Sequence, residues 1–140
     1  MFRKILFLTV AGLFLSFGYV AAENSGKEKN AVAAAEKWLE MIDNGQYIKS
    51  WREASEYFKN AVDKNQWLQS MEGVRKPLGD ILSRKVKSTS YHTSLPGAPD
   101  GEYVVIQFET SFENKKSAIE TVTPMLEKDG TWRVAGYYIK

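Results

Sequence analysis

Glu109 and Glu120 are the two acidic residues whose spacing could support chemistry. If a two-residue turn at Asn114-Lys115 joins the strands that carry them, their carboxylates lie directly opposite each other, because the turn fixes the strand register. Two like charges at that spacing could share a proton or bind a cation. Alternatively, strand twist, solvent or a nearby basic side chain keeps them apart or neutralises them. The second alternative is favoured, since the pair falls on the outer face of the predicted sheet.

His92 is the only histidine of the chain, and there is no cysteine. These counts exclude a histidine-based catalytic triad, a two-histidine zinc site and a cysteine–histidine nucleophile. The loop at 95–101 contains two glycines, but Pro96 and Pro99 remove amides that a phosphate would need. We therefore predict no catalytic residue, no metal ligand and no cofactor.

The densest positive cluster brackets the turn from Pro77 to Gly79 and could hold an acidic ligand. A solvated basic edge that protects an edge strand is the favoured alternative, because no aromatic residue is interleaved with the charges. The cluster consists of Arg75, Lys76, Arg84, Lys85 and Lys87.

Five aromatic residues could line a pocket or fill a core. Most of them recur at helix and strand periods, which favours the core. They are Trp51, Trp67, Phe108, Trp132 and Tyr138.

The first 22 residues have the three parts of a secretory signal peptide. Arg3 and Lys4 precede an apolar run at 5–20, and the small residues Ala21 and Ala22 end it. We expect cleavage after Ala22 and export to the periplasm or the outside of the cell. The alternative is a retained segment that anchors the domain to the inner membrane, because the run is only slightly shorter than a membrane span.

Removal of this segment changes the charge of the chain. It holds two of the nineteen lysines and arginines and none of the seventeen acidic residues, so residues 23–140 carry no net charge. A nucleic-acid partner is therefore not expected on electrostatic grounds. Without cysteines, the domain must be stabilised by packing rather than by disulfides.

Three helices and four strands are predicted to position these residues within a single domain at 31–140, which follows a solvated leader at 23–30. Apolar side chains recur at helical spacing before Gly79 and alternate after it. In the third helix, Trp67, Met71 and Val74 form the predicted buried stripe. The helices run from Ala31 to Asn44-Gly45, around Tyr47 to Phe58, and from an Asp63–Gln66 capping box to Pro77; the strands lie near 81–92, 102–112, 117–127 and 131–139.

Hairpin turns predicted at Asn114-Lys115 and Asp129-Gly130 divide the sheet residues between two faces. The face predicted to meet the helices carries Val104, Ile106, Phe108, Phe112, Ile119, Met125, Trp132, Val134 and Tyr138. The other face carries more apolar side chains than a fully solvent-exposed sheet face usually does. This fits either scattered apolar residues on the surface of a twisted sheet or a homodimer interface formed sheet to sheet. Its interface candidates are Tyr103, Val105, Val122, Leu126, Tyr137 and Ile139.

Four stretches resemble the domain-of-unknown-function 4019 (DUF4019) family of exported bacterial proteins. They are Gly45–Trp51, Arg75–Gly79, Leu95–Thr110 and Asp129–Ile139, and the resemblance covers roughly residues 31–140. It implies an α+β fold similar to the cystatin-like and nuclear-transport-factor-like cones, with three N-terminal helices packed on a curved four-stranded antiparallel sheet. It also implies small-molecule binding, pairing as dimers or, occasionally, catalysis of proton transfer.

We therefore expect an exported, non-enzymatic domain that binds a small apolar ligand or a protein partner, most simply a second copy of itself. One alternative is a proton-transfer enzyme, isomerase-like or hydrolase-like, and another is a structural component of the cell envelope. The enzyme requires an acidic side chain of perturbed pKa inside an enclosed pocket.

Signal-peptide cleavage can be measured directly. We expect the chain recovered from an expressing bacterium to begin at Glu23, because Val20 and Ala22 present small side chains to the signal peptidase. Intact-mass spectrometry of the soluble and membrane fractions checks this. Recovery of the full 140-residue chain from the inner membrane would instead establish a retained anchor.

Overall fold

Helices precede strands in the structure, a computed structural model that describes residues 24–140. Four strands form one antiparallel sheet in the order β1-β2-β3-β4, which confirms an α+β fold. The signal peptide predicted at 1–22 lies outside the described residues. The elements are α1 (24–43), α2 (Tyr47–Arg52), α3 (Glu56–Ala61), α4 (Lys64–Ser70), a π-helical turn (Met71–Arg75), a 3-10 turn (Lys76–Leu78), β1 (Ile81–His92), β2 (Tyr103–Phe112), β3 (Lys115–Leu126) and β4 (Trp132–Ile139).

α1 contributes an apolar stripe to the core beneath the sheet. Its alanine-rich sequence favours the helical state, and Ala31, Ala35, Leu39 and Ile42 are buried in one cluster with residues of β2, β3 and β4. The helix ends where the sequence predicts, because Gly45 adopts a left-handed φ of 73°.

Residues 24–30, predicted to be a solvated leader, belong to α1 in the structure. Polar contacts hold this part of the helix against the sheet. Lys27 Nζ lies 2.7 Å from Glu102 Oε1, and Thr89 Oγ1 donates a hydrogen bond of 3.2 Å to Glu28 Oε2. The segment has no large apolar side chain, so hydrophobic periodicity could not reveal it.

The second predicted helix is two helices in the structure, because Ser55 interrupts it. Its side chain caps α3 by accepting a hydrogen bond of 3.1 Å from the Phe58 amide, and its own amide donates to the Val134 carbonyl at 2.9 Å. The described residues therefore contain four α-helices rather than three. The capping box of α4 is confirmed, with hydrogen bonds of 2.8 and 3.2 Å between Asp63 and Gln66.

The predicted burial of Val74 is wrong. After Met71 the chain forms a π-helical turn, which takes more residues per turn than an α-helix and rotates the following side chains. Val74 is 54% exposed as a result, and Arg75 is 2% exposed.

The turn between β2 and β3 lies one residue earlier than predicted. Phe112 pairs with Lys115, which leaves Glu113 and Asn114 as the turn, and the register shifts at Ser111. Contacts with the preceding segment hold it there: the Asn114 amide donates to the Leu78 carbonyl at 2.9 Å, and the Glu113 amide to the Asp80 carbonyl at 3.0 Å.

The one-residue difference reverses the two faces of β3. Glu120 pairs with Phe108 and Glu109 with Ile119, so the predicted pairing of the two glutamates is wrong. Ile119 and Met125 leave the helix-facing side, and their places are taken by Ala118, Glu120, Val122 and Pro124.

The residues proposed for a dimer interface do not share one face. Val122 is fully buried in the core, and its partner across the strands is Tyr137, whose ring packs on Trp38. Leu126 pairs with Trp132 and Ile139 with Glu120, which places both on the helix-facing side. Tyr103 is buried under the loop that follows β1, where its hydroxyl donates to the Pro99 carbonyl at 2.5 Å. Among the six residues proposed for the interface, Val105 alone is both on the outer face and partly exposed.

Candidate functional site

Glu120 lies at the centre of the helix-facing side of the sheet and has no exposed surface. Its Oε1 atom accepts hydrogen bonds from Arg84 Nε at 2.7 Å and from Thr110 Oγ1 at 2.6 Å. Its Oε2 atom accepts a hydrogen bond from the Tyr137 hydroxyl. β1, β2 and β4 each therefore supply one donor to a carboxylate on β3.

Asp43, the last residue of α1, continues this network on the other side of Arg84. The guanidinium binds it through two nitrogens, with distances of 2.7 and 2.9 Å to the two carboxylate oxygens. Arg75 also approaches Asp43 at 3.4 Å, donates to the Gly79 carbonyl at 2.6 Å, and lies 4.5 Å from the centre of the Phe112 ring.

We call these six side chains the buried charge network: Asp43, Arg75, Arg84, Thr110, Glu120 and Tyr137. Its two carboxylates and two guanidiniums balance, so no net charge is buried.

The network shifts the pKa of two of its members. Burial opposes the charged form of Arg84, but hydrogen bonds to Asp43 and Glu120 outweigh burial and raise its pKa. Burial raises the pKa of Tyr137 well above 10.0, and the neighbouring Glu120 carboxylate adds to that effect. Arg84 therefore stays protonated, and Tyr137 stays a neutral donor at physiological pH.

Glu120 is shielded from solvent. A general base must be able to reach a substrate proton. Three donors bind the Glu120 carboxylate, and Glu120 lines none of five open hollows within residues 24–140.

Aromatic rings fill the space beside the network. Ring centres lie 5.9 Å apart for Trp38 and Trp67, 5.3 Å for Trp38 and Tyr137, and 5.0 Å for Phe58 and Trp67. Both indole N–H groups have partners on Ser50: Trp38 donates to its carbonyl at 2.8 Å and Trp67 to its hydroxyl at 2.9 Å. The rings are therefore fixed in place as core.

The five candidate aromatic residues fall into three groups. Trp67 and Phe108 are buried core residues, whereas Trp51 and Trp132 are half-buried against the core. Tyr138 is 58% exposed, because a register shift between Thr123 and Pro124 separates it from the helix-facing side.

The polar candidates are separate from one another. Glu109 is partly exposed and pairs with Lys85 at 3.2 Å on the outer face. The side chain of His92 exchanges a hydrogen bond of 2.8 Å with Ser90 Oγ at the end of β1. In residues 24–140, no group of three or more acidic or histidine side chains is placed to hold a metal ion, and no helix is long and apolar enough to cross a membrane.

The largest of five hollows within residues 24–140 is an open cleft of about 1000 Å³ between α3 and the β3–β4 hairpin, which we call the α3–hairpin cleft. Ala54, Tyr57, Met125 and Leu126 supply its apolar surface. Its charged rim consists of Arg52, Glu53, Glu56, Lys59, Asp100, Glu102, Glu127, Lys128, Asp129 and Arg133.

Hydrogen bonds across the cleft hold its walls in place. Glu127 accepts a bond of 3.0 Å from the Glu56 amide and one of 2.8 Å from Arg133. Tyr57 donates to the Gly97 carbonyl at 3.0 Å, which joins α3 to the loop after β1. These contacts join the two walls of the cleft to each other and to the loop after β1.

The buried charge network was missed because the predicted register placed Glu120 outside. A signal was present in the sequence. Ala118, Val122 and Pro124 alternate with Glu120 on β3, so an inward face for these apolar residues requires an inward glutamate with a cationic partner.

The model of a family described as "Protein of unknown function (DUF4019)" matches residues 34–137. This match covers most of the chain and confirms the resemblance drawn from its motifs. No curated protein matches the chain.

We expect Glu120→Gln to lower the free energy of unfolding by about 3 kcal/mol, because it leaves Arg84 buried beside an incomplete set of charges. Glu109→Gln is the matched control, since it removes a partly exposed carboxylate and should change stability by less than about 0.5 kcal/mol. Urea unfolding measures both. Equal effects of the two substitutions would contradict the central position of Glu120.

The raised pKa of Tyr137 predicts a loss of stability at high pH. Its unfolded form ionises near 10.0, whereas the folded form resists ionisation because of burial and Glu120. The contribution of the protonated Tyr137 hydroxyl to the free energy of unfolding is complete below pH 10. It is lost as pH rises further, since the unfolded state then releases the Tyr137 proton more readily than the folded state does. Tyr137→Phe should be less stable than wild type at pH 8, and the difference should shrink above pH 10.

Urea unfolding of both proteins between pH 8 and pH 11 checks this behaviour. Tyr138→Phe is the control, because it removes an exposed hydroxyl from the adjacent residue. A difference between wild type and Tyr137→Phe that stays constant over this range would contradict the prediction.

Proposed function

We propose that this chain, which belongs to the DUF4019 family of proteins of unknown function, is an exported, non-enzymatic domain. We further propose that it binds a ligand on its outer surface. The observation that carries this proposal is the filled interior. Aromatic rings and the buried charge network occupy the space between helices and sheet, where the related cone folds often enclose a pocket. The signal-peptide pattern at 1–22 supports export.

The full burial of Glu120 favours binding over catalysis. A proton-transfer enzyme on this fold needs a carboxylate that reaches the substrate in a water-excluding cavity. Glu120 is the fully buried carboxylate of the described residues, and Arg84, Thr110 and Tyr137 occupy both of its oxygens. Freeing one oxygen would leave either the Arg84 Nε–H with the Thr110 hydroxyl, or the Tyr137 hydroxyl, without its acceptor, which is costly.

The α3–hairpin cleft is the binding region that the geometry supports best. Ligand sites are usually preformed concavities with apolar walls and a few fixed polar groups. Tyr57, Met125 and Leu126 provide the walls. Arg133 is held by Glu127 and Asp129 at 2.8 and 2.9 Å, which fixes its position at the rim.

Charges of both signs on the rim suit a zwitterionic or amphipathic ligand. Arg52 and Lys128 are exposed cations beside the exposed carboxylates of Glu53 and Asp100. A small molecule with an apolar body and one or two charged groups would contact both kinds of surface. The charged rim thus favours an amphipathic ligand over the purely apolar one expected from the sequence, and we propose that it binds in this cleft rather than in an enclosed pocket.

Binding of small ligands should map to this cleft. We expect fragments with an aromatic or alkyl body and an amino-acid head group to shift backbone amide resonances at 52–59 and 125–129 of the exported form. Tyr57→Ala should weaken such binding at least fivefold, because it removes the largest apolar wall. Tyr138→Ala removes an exposed ring outside the cleft and should have no effect.

Two-dimensional NMR titration of a fragment library measures these shifts. Shifts confined to other residues, or equal affinities for the two variants, would contradict the assignment. Turnover of a fragment during the titration would contradict the non-enzymatic proposal separately.

A further inference from the structure

We propose that the free edge of β1 binds an extended segment of another protein by strand addition, and that this segment carries acidic side chains on its outward side. This surface is separate from the α3–hairpin cleft, and the proposal does not rest on that site. Three observations support it: the two edges of the sheet are unequal, two hollows border β1, and the outer hollow has an excess of positive charge that the helix-side hollow lacks.

The two edges of the sheet are not alike. At β4, the Val134 carbonyl accepts a hydrogen bond of 2.9 Å from the Ser55 amide, so the α2–α3 segment covers part of that edge. At β1, every backbone hydrogen bond of Ile81–His92 within residues 24–140 is made to β2. An uncovered edge presents a row of unpaired amides and carbonyls, which is a template for another strand.

Apolar side chains on β1 are left in solvent. Leu82 is 55% exposed and Val86 is 41% exposed, and both lie on this edge strand. An added strand would cover such side chains through cross-strand contacts, which stabilise pairing.

Two hollows border β1, one on each side of the sheet. On the helix side, a groove of about 530 Å³ lies between α1 and β1, with Val86 and Phe108 among its lining residues. On the outer side, a hollow of about 620 Å³ is lined by Ser83, Lys85 and Lys87 together with residues of β2 and β3. Successive side chains of a strand point to opposite faces, so a strand beside β1 would reach both hollows.

The charges of the hollows differ and select the occupant. Lys85, Lys87 and Lys116 outnumber Glu109 on the outer side, which favours acidic side chains there. On the helix side, Lys37 and Lys85 balance Glu36 and Glu40. Arg84 adds little positive charge to this groove, because Asp43 and Glu120 already neutralise this residue. Apolar side chains are therefore favoured on the helix side.

The same charges disfavour a second copy of the chain as the occupant. An antiparallel β1–β1 pairing would bring Lys85 and Lys87 close to the lysines of the other copy, and like charges across strands are destabilising. The edge therefore disfavours pairing with a second copy of the chain and favours a strand of complementary charge.

Two end-blocked synthetic peptides of eight residues test the proposal, one with Val alternating with Glu and the other with Val alternating with Lys. We expect the acidic peptide to bind the exported form at least tenfold more tightly than the basic one in 0.15 M salt. It should also slow amide hydrogen exchange along β1. Fluorescence anisotropy measures the affinity, and NMR-detected exchange locates the site.

Charge reversal separates recognition from nonspecific attraction. The Lys85→Glu, Lys87→Glu double variant should reverse the preference between the peptides. The matched control, Lys49→Glu with Lys64→Glu, changes the net charge equally at exposed helix positions and should keep the wild-type preference. All four lysines are exposed, so the fold should persist, which the melting temperature checks.

Several outcomes would overturn the proposal. They are no binding of the acidic peptide at 1 mM, equal binding of both peptides, amide protection away from β1, and loss of the preference in the control variant. A dimer of the chain itself with protected β1 amides, detected by analytical ultracentrifugation and exchange, would also overturn it.

Discussion

The hydrogen-bonded ion pairs that join Asp43, Arg84 and Glu120 are the constraint on which the rest of the structure depends. They link the end of α1 to β1 and β3, and through Tyr137 they reach β4. Burying these charges is costly, so their contribution to net stability is small compared with the penalty for breaking the set. Their main effect is on specificity. A slip of β3 by one residue would carry Glu120 to the outer face and leave Arg84 with half of its partners.

This use of the interior also limits what the protein can do chemically. An acid or base that serves catalysis must be reachable, whereas Glu120 is shielded by the same contacts that neutralise it. Trp38 and Trp67 close the adjacent space, and Ser50 satisfies both of their indole N–H groups. Polar and apolar parts of the core are therefore mutually supporting.

The two proposed binding surfaces have different physical characters. The α3–hairpin cleft is a concavity with apolar walls and charges of both signs, which suits a compact ligand. The β1 edge is a linear surface with unpaired backbone groups, an excess of positive charge on its outer side and balanced charges on its helix side. The helices explain the difference, because α3 packs beside β4 and covers part of its edge, whereas α1 runs beside β1 and leaves a groove.

Local sequence signals determined most of the elements but not which side chains face the helices. Strand limits to within two residues, the Asp63–Gln66 capping box and the Gly45 helix end follow from side-chain chemistry within a few residues, and these are present in the structure. The β2–β3 register does not. Neither Glu113 nor Asn114 has a positive φ, so the turn is not the type that usually fixes a two-residue hairpin. Its place is set by hydrogen bonds to Leu78 and Asp80, more than thirty residues earlier. Because register assigns each β3 side chain to one face, only these tertiary contacts decided whether Glu120 would be a surface acid or the centre of the core.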